Sequence, residues 1–105
     1  MSELQWINLG EVEELKKKPL QEIKIGMGKL ALTYVNGEFG AVDGICIHAN
    51  GSLGEGTLEG DIIVCPVHQW KYDRKTGRGC GTPGAVACYT FEEREGRLWL
   101  NPNPD

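Results

Sequence analysis

Two short segments, Cys46-Ile47-His48 and Cys65-Pro66-Val67-His68, constrain this chain more than any other feature of its sequence. Sixteen residues separate them, and together they contain both histidines of the chain. Each segment offers one thiolate and one imidazole, and at these short spacings the two side chains can converge. The pattern therefore predicts one metal-binding pocket with four ligands: Cys46, His48, Cys65 and His68.

Two kinds of metal centre use such a ligand set. Zinc forms closed Cys₂His₂ sites, but a zinc finger usually pairs Cys with Cys and His with His within each short segment. A [2Fe–2S] cluster can instead carry two cysteines on one iron and two histidines on the other. Because each segment here supplies one ligand of each type, the order favours the cluster, with zinc as the alternative. The glycines Gly51, Gly54 and Gly56 let the first loop approach a bulky centre closely.

Around these segments the sequence resembles the Rieske family. The matching residues are Cys46 to Leu53, Gly56, Leu58 to Gly60, Cys65 to Asp73, and Thr76-Gly77. The resemblance implies one [2Fe–2S] cluster, in which Cys46 and Cys65 bind one iron and His48 and His68 bind the other through Nδ1. It also implies a third loop that covers the cluster, and Thr82-Pro83-Gly84 lies where that loop is expected.

Short alternating segments predict an all-β fold. Asn36-Gly37 between two such segments is a strong signal for a two-residue β-hairpin, and Glu95-Gly96 is predicted to join a strand at Val86 to Glu92 with one at Arg97 to Leu100. The resemblance implies a Rieske-like antiparallel β-sandwich base with a small cluster-binding subdomain inserted at about residues 45–84. No repeat or long linker divides the chain, so residues 1–105 are predicted to form a single Rieske [2Fe–2S] domain.

Charge and hydropathy exclude several classes of partner. The chain has 11 basic and 15 acidic residues and a net charge of -4, without a basic stripe, so we expect no nucleic-acid partner. No run of eighteen apolar residues is present, and the amino terminus lacks the basic start and apolar stretch of a secretory signal. We therefore expect a soluble, cytoplasmic protein with no membrane partner.

Within the family, the chain resembles the soluble ferredoxins of bacterial oxygenase systems rather than the membrane-anchored subunits of cytochrome bc complexes. Subunits of the bc type join the two cluster loops by a disulfide, at positions that are Gly51 and Val67 here. High-potential members have a tyrosine that donates a hydrogen bond to a ligating cysteine, and Tyr72 occupies that position. Cys80 and Cys88 are interpreted as small, half-buried apolar residues, with a disulfide or a redox-sensing pair as the alternative.

The predicted function is one-electron transfer by a carrier that is not itself an enzyme. The resemblance implies a flavin-dependent reductase as the donor and a terminal oxygenase, or another redox enzyme, as the acceptor. Three alternatives stand beside it: a small Rieske-type redox subunit of a larger oxidoreductase such as nitrite reductase, a redox-sensing protein, and a zinc-stabilised interaction module. For the main function we expect a potential in the lower half of the Rieske range of about −150 to +300 mV.

Overall fold

The computed structural model describes residues 6–25, 28–45, 51–67, 69–81 and 84–101. Within these ranges the chain forms short strands, one turn of α-helix and one 3₁₀ turn, and no helix has the length and apolarity needed to cross a bilayer. The strands are β1 Ile7–Glu11, β2 Leu20–Ile25, β3 Gly28–Val35, β4 Glu38–Asp43, β5 Thr57–Glu59, β6 Ile62–Val64, β7 Lys71–Asp73, β8 Phe91–Arg94 and β9 Arg97–Leu100. The helical turn α1 is Val12–Leu15, and the 3₁₀ turn is Leu53–Glu55.

The strands form three antiparallel sheets of three strands each. The terminal sheet has the order β1-β9-β8, the middle sheet β2-β3-β4, and the small sheet β5-β6-β7. Neighbours in the middle and small sheets are also consecutive in sequence, whereas the terminal sheet combines the first strand of the chain with its last hairpin. The two ends of the described chain therefore belong to one sheet.

Two hairpins follow directly from their turn residues. Asn36 and Gly37 have φ values of 52° and 82°, and Val35 pairs with Glu38 across them. Positive φ at both central positions is the requirement of the two-residue turn that Asn-Gly favours, and the predicted hairpin is confirmed. Glu95 and Gly96, with φ values of 53° and 78°, make the same kind of turn between β8 and β9.

The middle sheet is buried on both faces, because side chains alternate along its strands. One face packs against the terminal sheet in a terminal core, formed by Val12, Leu15, Leu30, Leu32, Ala41, Leu98 and Leu100. The other face packs against the small sheet in a small-sheet core, formed by Ala31, Val42, Leu53, Ile63, Cys65, Tyr72 and Val86. The middle sheet thus connects the terminal sheet to the part of the chain that contains the predicted site.

One predicted strand is only half right. Of the segment Val86 to Glu92, only the end that belongs to β8 pairs with β9. The earlier part bonds to β4 instead: Asp43 N donates to Ala87 O over 2.8 Å, and Tyr89 N donates to Ala41 O over 2.9 Å. Because Val86 is buried in the small-sheet core, this segment is held against the middle sheet before the chain continues into the terminal sheet.

Candidate metal centre

The loop that follows β6 places Cys65 in the protein interior. Cys65 comes directly after Val64, the last residue of β6, and its side chain is fully buried. Its backbone N–H donates to Trp70 O over 2.7 Å, which closes the loop between β6 and β7. The chain turns within this loop at Gln69, whose φ of 57° lies in the left-handed region. The second predicted metal-binding segment is therefore the loop of a tight hairpin.

The sulfur of Cys65 lies between this loop and the start of the next described segment. Val67 N–H donates a weak hydrogen bond to Cys65 Sγ over 3.4 Å. On the other side Gly51 approaches so closely that an added Cβ would lie 2.9 Å from Sγ. The Cys65 sulfur is thus buried, accepts one N–H and faces a glycine of the first loop. This environment fits a thiolate ligand in a cluster site.

The other predicted ligands, Cys46, His48 and His68, lie outside the described residues, as do Thr82 and Pro83 of the predicted third loop. The structure does describe the residues that flank them. Ile45 and Ser52 form an antiparallel bridge that closes the first loop at its base. Because Gly51 contacts the sulfur of Cys65, the stem of the first loop and the second loop lie side by side.

Tyr72 lies in the same core as Cys65. Its side chain is fully buried on β7, opposite Ile63 of β6. No buried side-chain oxygen or nitrogen among the described residues lacks a hydrogen-bond partner, so the Tyr72 hydroxyl is satisfied. Trp70, two residues earlier, is half-buried and packs against this core. Tyr72 and Trp70 thus both belong to the packing around Cys65.

A contact that the sequence does not reveal connects the first loop to the middle sheet. Ser52 Oγ donates a hydrogen bond to Glu22 Oε1 of β2. Gly54, in the 3₁₀ turn that follows, lies so close to β2 that an added Cβ would be 2.6 Å from Glu22 Cα. Thirty positions separate Glu22 from Ser52, and no local pattern signals the contact.

Arg74 is a second residue that sequence reasoning missed. It lies in the turn that follows β7, yet it is only 1% exposed. Its guanidinium donates to Asp61 Oδ1 over 2.9 Å, to the Glu38 carbonyl over 3.2 Å and to the Val35 carbonyl over 3.3 Å. It also donates to Thr33 Oγ1 over 3.3 Å. Arg74 therefore ties the small sheet to the β3–β4 hairpin.

Trp6 and Trp99 are only partly buried and belong to neither hydrophobic core. The guanidinium carbon of Arg94 lies 5.5 Å from the ring centre of Trp6 and 5.3 Å from that of Trp99. Trp99 alternates along β9 with the buried Leu98 and Leu100, so it points away from the terminal core. The aromatic rings gain cation–π contacts in place of core packing.

The two remaining cysteines lie in different surroundings. Cys88 is half-buried, packs against the small-sheet core and bridges to Val42 of β4. Cys80 is also half-buried, and its backbone N–H donates to Lys71 O over 2.9 Å. These positions agree with the interpretation of both residues as small apolar side chains.

Electrostatic effects resolved in the structure lie away from the Cys65 sulfur. The hydrogen bond and charge of Lys75 lower the pKa of the Glu38 carboxyl, and Arg74 contributes in the same direction. Burial, followed by the nearby Asp43 carboxylate, raises the pKa of the Tyr89 hydroxyl. Neither group contacts the predicted metal-binding loops in the described residues, so both belong to the stability of the fold.

Comparison with known proteins supports the class of protein that the fold and the Cys65 site define. Residues 5–92 match the Rieske [2Fe-2S] domain. The ferredoxin component of the naphthalene 1,2-dioxygenase/salicylate 5-hydroxylase systems of Ralstonia sp is 33% identical over 78 residues, which cover 74% of this chain and 75% of the relative. Ferredoxin CarAc of Metapseudomonas resinovorans is 30% identical, with 90% of this chain and 92% of the relative covered.

A solved structure supports the same class. It is a complex of reduced oxygenase and oxidised ferredoxin in carbazole 1,9a-dioxygenase, and its matching chain has a TM-score of 0.87 and 25% identity, with 98% of each chain covered. The chain therefore belongs to the Rieske [2Fe–2S] family, in its ferredoxin branch. The predicted fold class, the single [2Fe–2S] cluster as cofactor and the function of an electron carrier rather than a catalyst are confirmed.

Proposed function

We propose that Cys46, His48, Cys65 and His68 hold the [2Fe–2S] cluster, and that the protein passes single electrons from a flavin-dependent reductase to a terminal oxygenase. The observation that carries the ligand set is the environment of the Cys65 sulfur. It is buried, accepts the Val67 N–H and faces a loop stem that has no side chain at the contact. The neighbouring loop, closed by the Ile45–Ser52 bridge, is the one that contains Cys46 and His48.

The roles of this chain's own groups follow from that environment. When bound, the cluster supplies a site that gains and loses one electron. Burial of Cys65 keeps water from its sulfur, and the Val67 N–H would stabilise the negative charge of a metal-bound thiolate there. In this proposal His48 and His68 would bind the second iron, and their imidazoles would pass the electron to a partner protein.

We also propose that residues 1–105 form a single Rieske [2Fe–2S] domain, with a cluster-binding subdomain at about residues 45–84. The small sheet and the 3₁₀ turn support these bounds, because both lie between the end of β4 and the segment that returns to it. The chain leaves the middle sheet after Asp43 and comes back where Ala87 and Tyr89 bond to β4.

The proposed partners rest on the relatives. The relative from Ralstonia sp is the ferredoxin component of oxygenase systems, and the relative from Metapseudomonas resinovorans is named as a ferredoxin. The solved complex contains an oxygenase with its ferredoxin. Such a carrier needs a reductase to deliver electrons and an acceptor to use them. We place the protein in the cytoplasm, where a flavin-dependent reductase has access to reduced nicotinamide.

Iron and sulfide analysis tests the ligand set. The purified protein is expected to contain about two irons and two acid-labile sulfides per chain, with a rhombic electron paramagnetic resonance signal after reduction. Cys65→Ser should lose most of this content. Cys80→Ser is the matched control, because Cys80 is a half-buried thiol outside the ligand set, and it should retain both iron and sulfide. Stoichiometric zinc without sulfide would contradict the proposal.

Stopped-flow spectroscopy tests the partners. The reduced protein is mixed with the oxidised terminal oxygenase of the same organism, and reoxidation is followed by visible absorbance. We expect reoxidation in a single one-electron phase whose rate depends on oxygenase concentration. Reoxidation only by dioxygen, at a rate that no oxygenase changes, would leave the protein an electron carrier but refute the proposed acceptor.

A further inference from the structure

The carboxylate of Glu22 and the hydroxyl of Ser52 form a polar contact between the middle sheet and the first metal-binding loop. The Glu22 side chain is only 18% exposed, and the Lys29 ammonium lies 3.8 Å from the carboxylate oxygen that accepts the Ser52 bond. Withdrawing a carboxylate from water costs free energy unless hydrogen bonds or opposite charges compensate. Ser52 and Lys29 supply that compensation, which fixes the position of the carboxylate.

Ser52 lies at the base of the first loop. It bridges to Ile45 on the other side of the loop, and Leu53 N donates to Gly44 O over 2.8 Å. These bonds close the stem from which residues 46–50 extend. The stem also lies directly on β2, as the close approach of Gly54 to Glu22 shows.

The residue before Ser52 is the one that contacts the Cys65 sulfur. An added Cβ at Gly51 would lie 2.9 Å from Sγ and 3.0 Å from Val67 Cγ2, so there is little space for the loop to move inward. A hydrogen bond from Ser52 to the middle sheet holds the loop from its other side. The Ser52–Glu22 bond thus holds the stem beside Cys65 together with the Leu53–Gly44 backbone bond and the close approach of Gly54 to β2.

We infer that Glu22 is a positioning residue for the metal centre: through Ser52 it fixes the first loop relative to Cys65. The inference rests on the proposed function, since it takes Cys46 and His48 of that loop as ligands. A carboxylate acceptor makes the bond charge-assisted, and such bonds are stronger than those between neutral groups. Glu22 bonds to Ser52 and lies against Gly54, whereas Gly51 is the residue that lies against the Cys65 sulfur, so the effect of Glu22 on the centre is indirect.

The test compares Ser52→Ala, Ser52→Thr and Glu22→Gln in the iron-loaded protein. Ser52→Ala removes the donor, and we expect iron release to a chelator to become about tenfold faster, the change that corresponds to about 1.4 kcal/mol. Glu22→Gln keeps an acceptor oxygen without the charge and should give a smaller increase. Ser52→Thr keeps the hydroxyl and should restore the slow release.

Two further readouts separate positioning from general stability. Amide hydrogen exchange in the peptide that contains Leu53 should be faster in Ser52→Ala, because the stem opens more often. The electron paramagnetic resonance spectrum of the reduced variant should show shifted g values, because the loop moves relative to Cys65. A lower melting temperature with an unchanged spectrum would overturn the inference and leave Ser52 a purely structural residue.

Glu59→Gln is the control for charge. Glu59 on β5 is 61% exposed and pairs with Lys71 over 3.2 Å, so its substitution removes one negative charge without touching the first loop. It should release iron at the wild-type rate. Equal rates in Ser52→Ala and wild type, or equal acceleration in Glu59→Gln, would overturn the inference. If the wild-type protein itself held no iron and sulfide, the proposed function would fail instead, and hydrogen exchange would still test the contact in the apoprotein.

Discussion

The space around the Cys65 sulfur is set by a residue with no side chain. Gly51 fits against Sγ and Val67 only because it lacks a Cβ, which would lie 2.9 Å from the sulfur. The glycine is therefore required here for a close approach. The same residue supports the interpretation of the sequence, in which glycines let the first loop approach a bulky centre.

Gly51→Ala should reduce the amount of cluster that the protein retains. The added methyl group forces the loop or the sulfur to shift, and overpacking of this kind costs about 1–3 kcal/mol. We expect fewer irons per chain and a lower melting temperature. Gly28→Ala is the matched control, because a Cβ there would meet its nearest atom at an ordinary 3.7 Å. Full iron content in Gly51→Ala would contradict this prediction, because it would show that the loop can shift without loss of the cluster.

Tyr72→Phe should lower the reduction potential and leave the cluster in place. The hydroxyl of this buried tyrosine is hydrogen-bonded, and a donor to a cluster thiolate favours the more negative, reduced state. If the bond stabilises the reduced state by about 1 kcal/mol more than the oxidised state, its removal lowers the reduction potential by on the order of 40 mV. Voltammetry of the purified variant measures it. An unchanged potential with an intact absorption spectrum would make Tyr72 a packing residue only.

At the scale of secondary-structure elements, one side chain joins two hairpins. The buried guanidinium of Arg74, just after β7, donates to Asp61 of the β5–β6 turn and to the carbonyls that flank the β3–β4 turn. An arginine can satisfy several acceptors at once because its donors form a planar fork. The small sheet is held on the middle sheet by this bonding as well as by apolar packing.

Arg74→Met should destabilise the protein by about 2–3 kcal/mol, because hydrogen bonds from a charged donor are lost and buried carbonyls are left without it. The midpoint of denaturant-induced unfolding, followed by circular dichroism, measures the change. Arg78→Met is the control, since Arg78 is exposed and close in sequence. Equal stability of the two variants would mean that water or other donors replace the guanidinium at no net cost.

Sequence reasoning succeeded where structure is decided locally. The Asn36-Gly37 turn was predictable because two adjacent residues must both adopt positive φ. It failed where the partner of a segment is decided by packing: Val86 to Thr90 reads as a strand continuous with β8, yet it bonds to β4. The burial of Arg74 and the Glu22–Ser52 bond were equally hidden, since each requires two distant parts of the chain to meet.

The candidate site was predictable to the extent that its chemistry lies in short motifs. Cys65 was predicted as a ligand from its spacing to His68, and the structure places it in a buried hairpin loop, while all four ligands remain a proposal. Hydrophobicity alone does not show which face of a strand is covered, so the position of Trp99 could not be predicted. Trp99 lies on the outer face, beside Arg94.

For the whole molecule, surface charge makes stability depend on pH. Lys75 lowers the pKa of the Glu38 carboxyl, so the folded state favours the ionised carboxylate more than the unfolded state does. Stability from this pair is present above the unfolded pKa of about 4.3 and is lost as pH falls through the lower folded value.

Lys75→Met should accordingly lower the melting temperature slightly at pH 7, and the difference from wild type should shrink as pH falls below about 4. The pair is exposed, so we expect a small effect that high salt reduces further. Melting curves of both proteins between pH 3 and 7, at low and high salt, measure it. A difference that is constant with pH would assign the effect of Lys75 to something other than Glu38.

The close approach of the middle and small sheets affects how the protein responds to a change of charge. An added Cβ at Gly40 of β4 would lie 2.5 Å from the carbonyl oxygen of Arg74, the residue after β7, so the two backbones nearly touch at this point. The rest of the interface is filled by the small-sheet core, which includes Cys65, and dense interiors of this kind have low compressibility. The surroundings of Cys65 can then shift only slightly when an electron arrives or leaves. We expect a small reorganisation energy, and hence rapid electron exchange even where donor and acceptor potentials differ little.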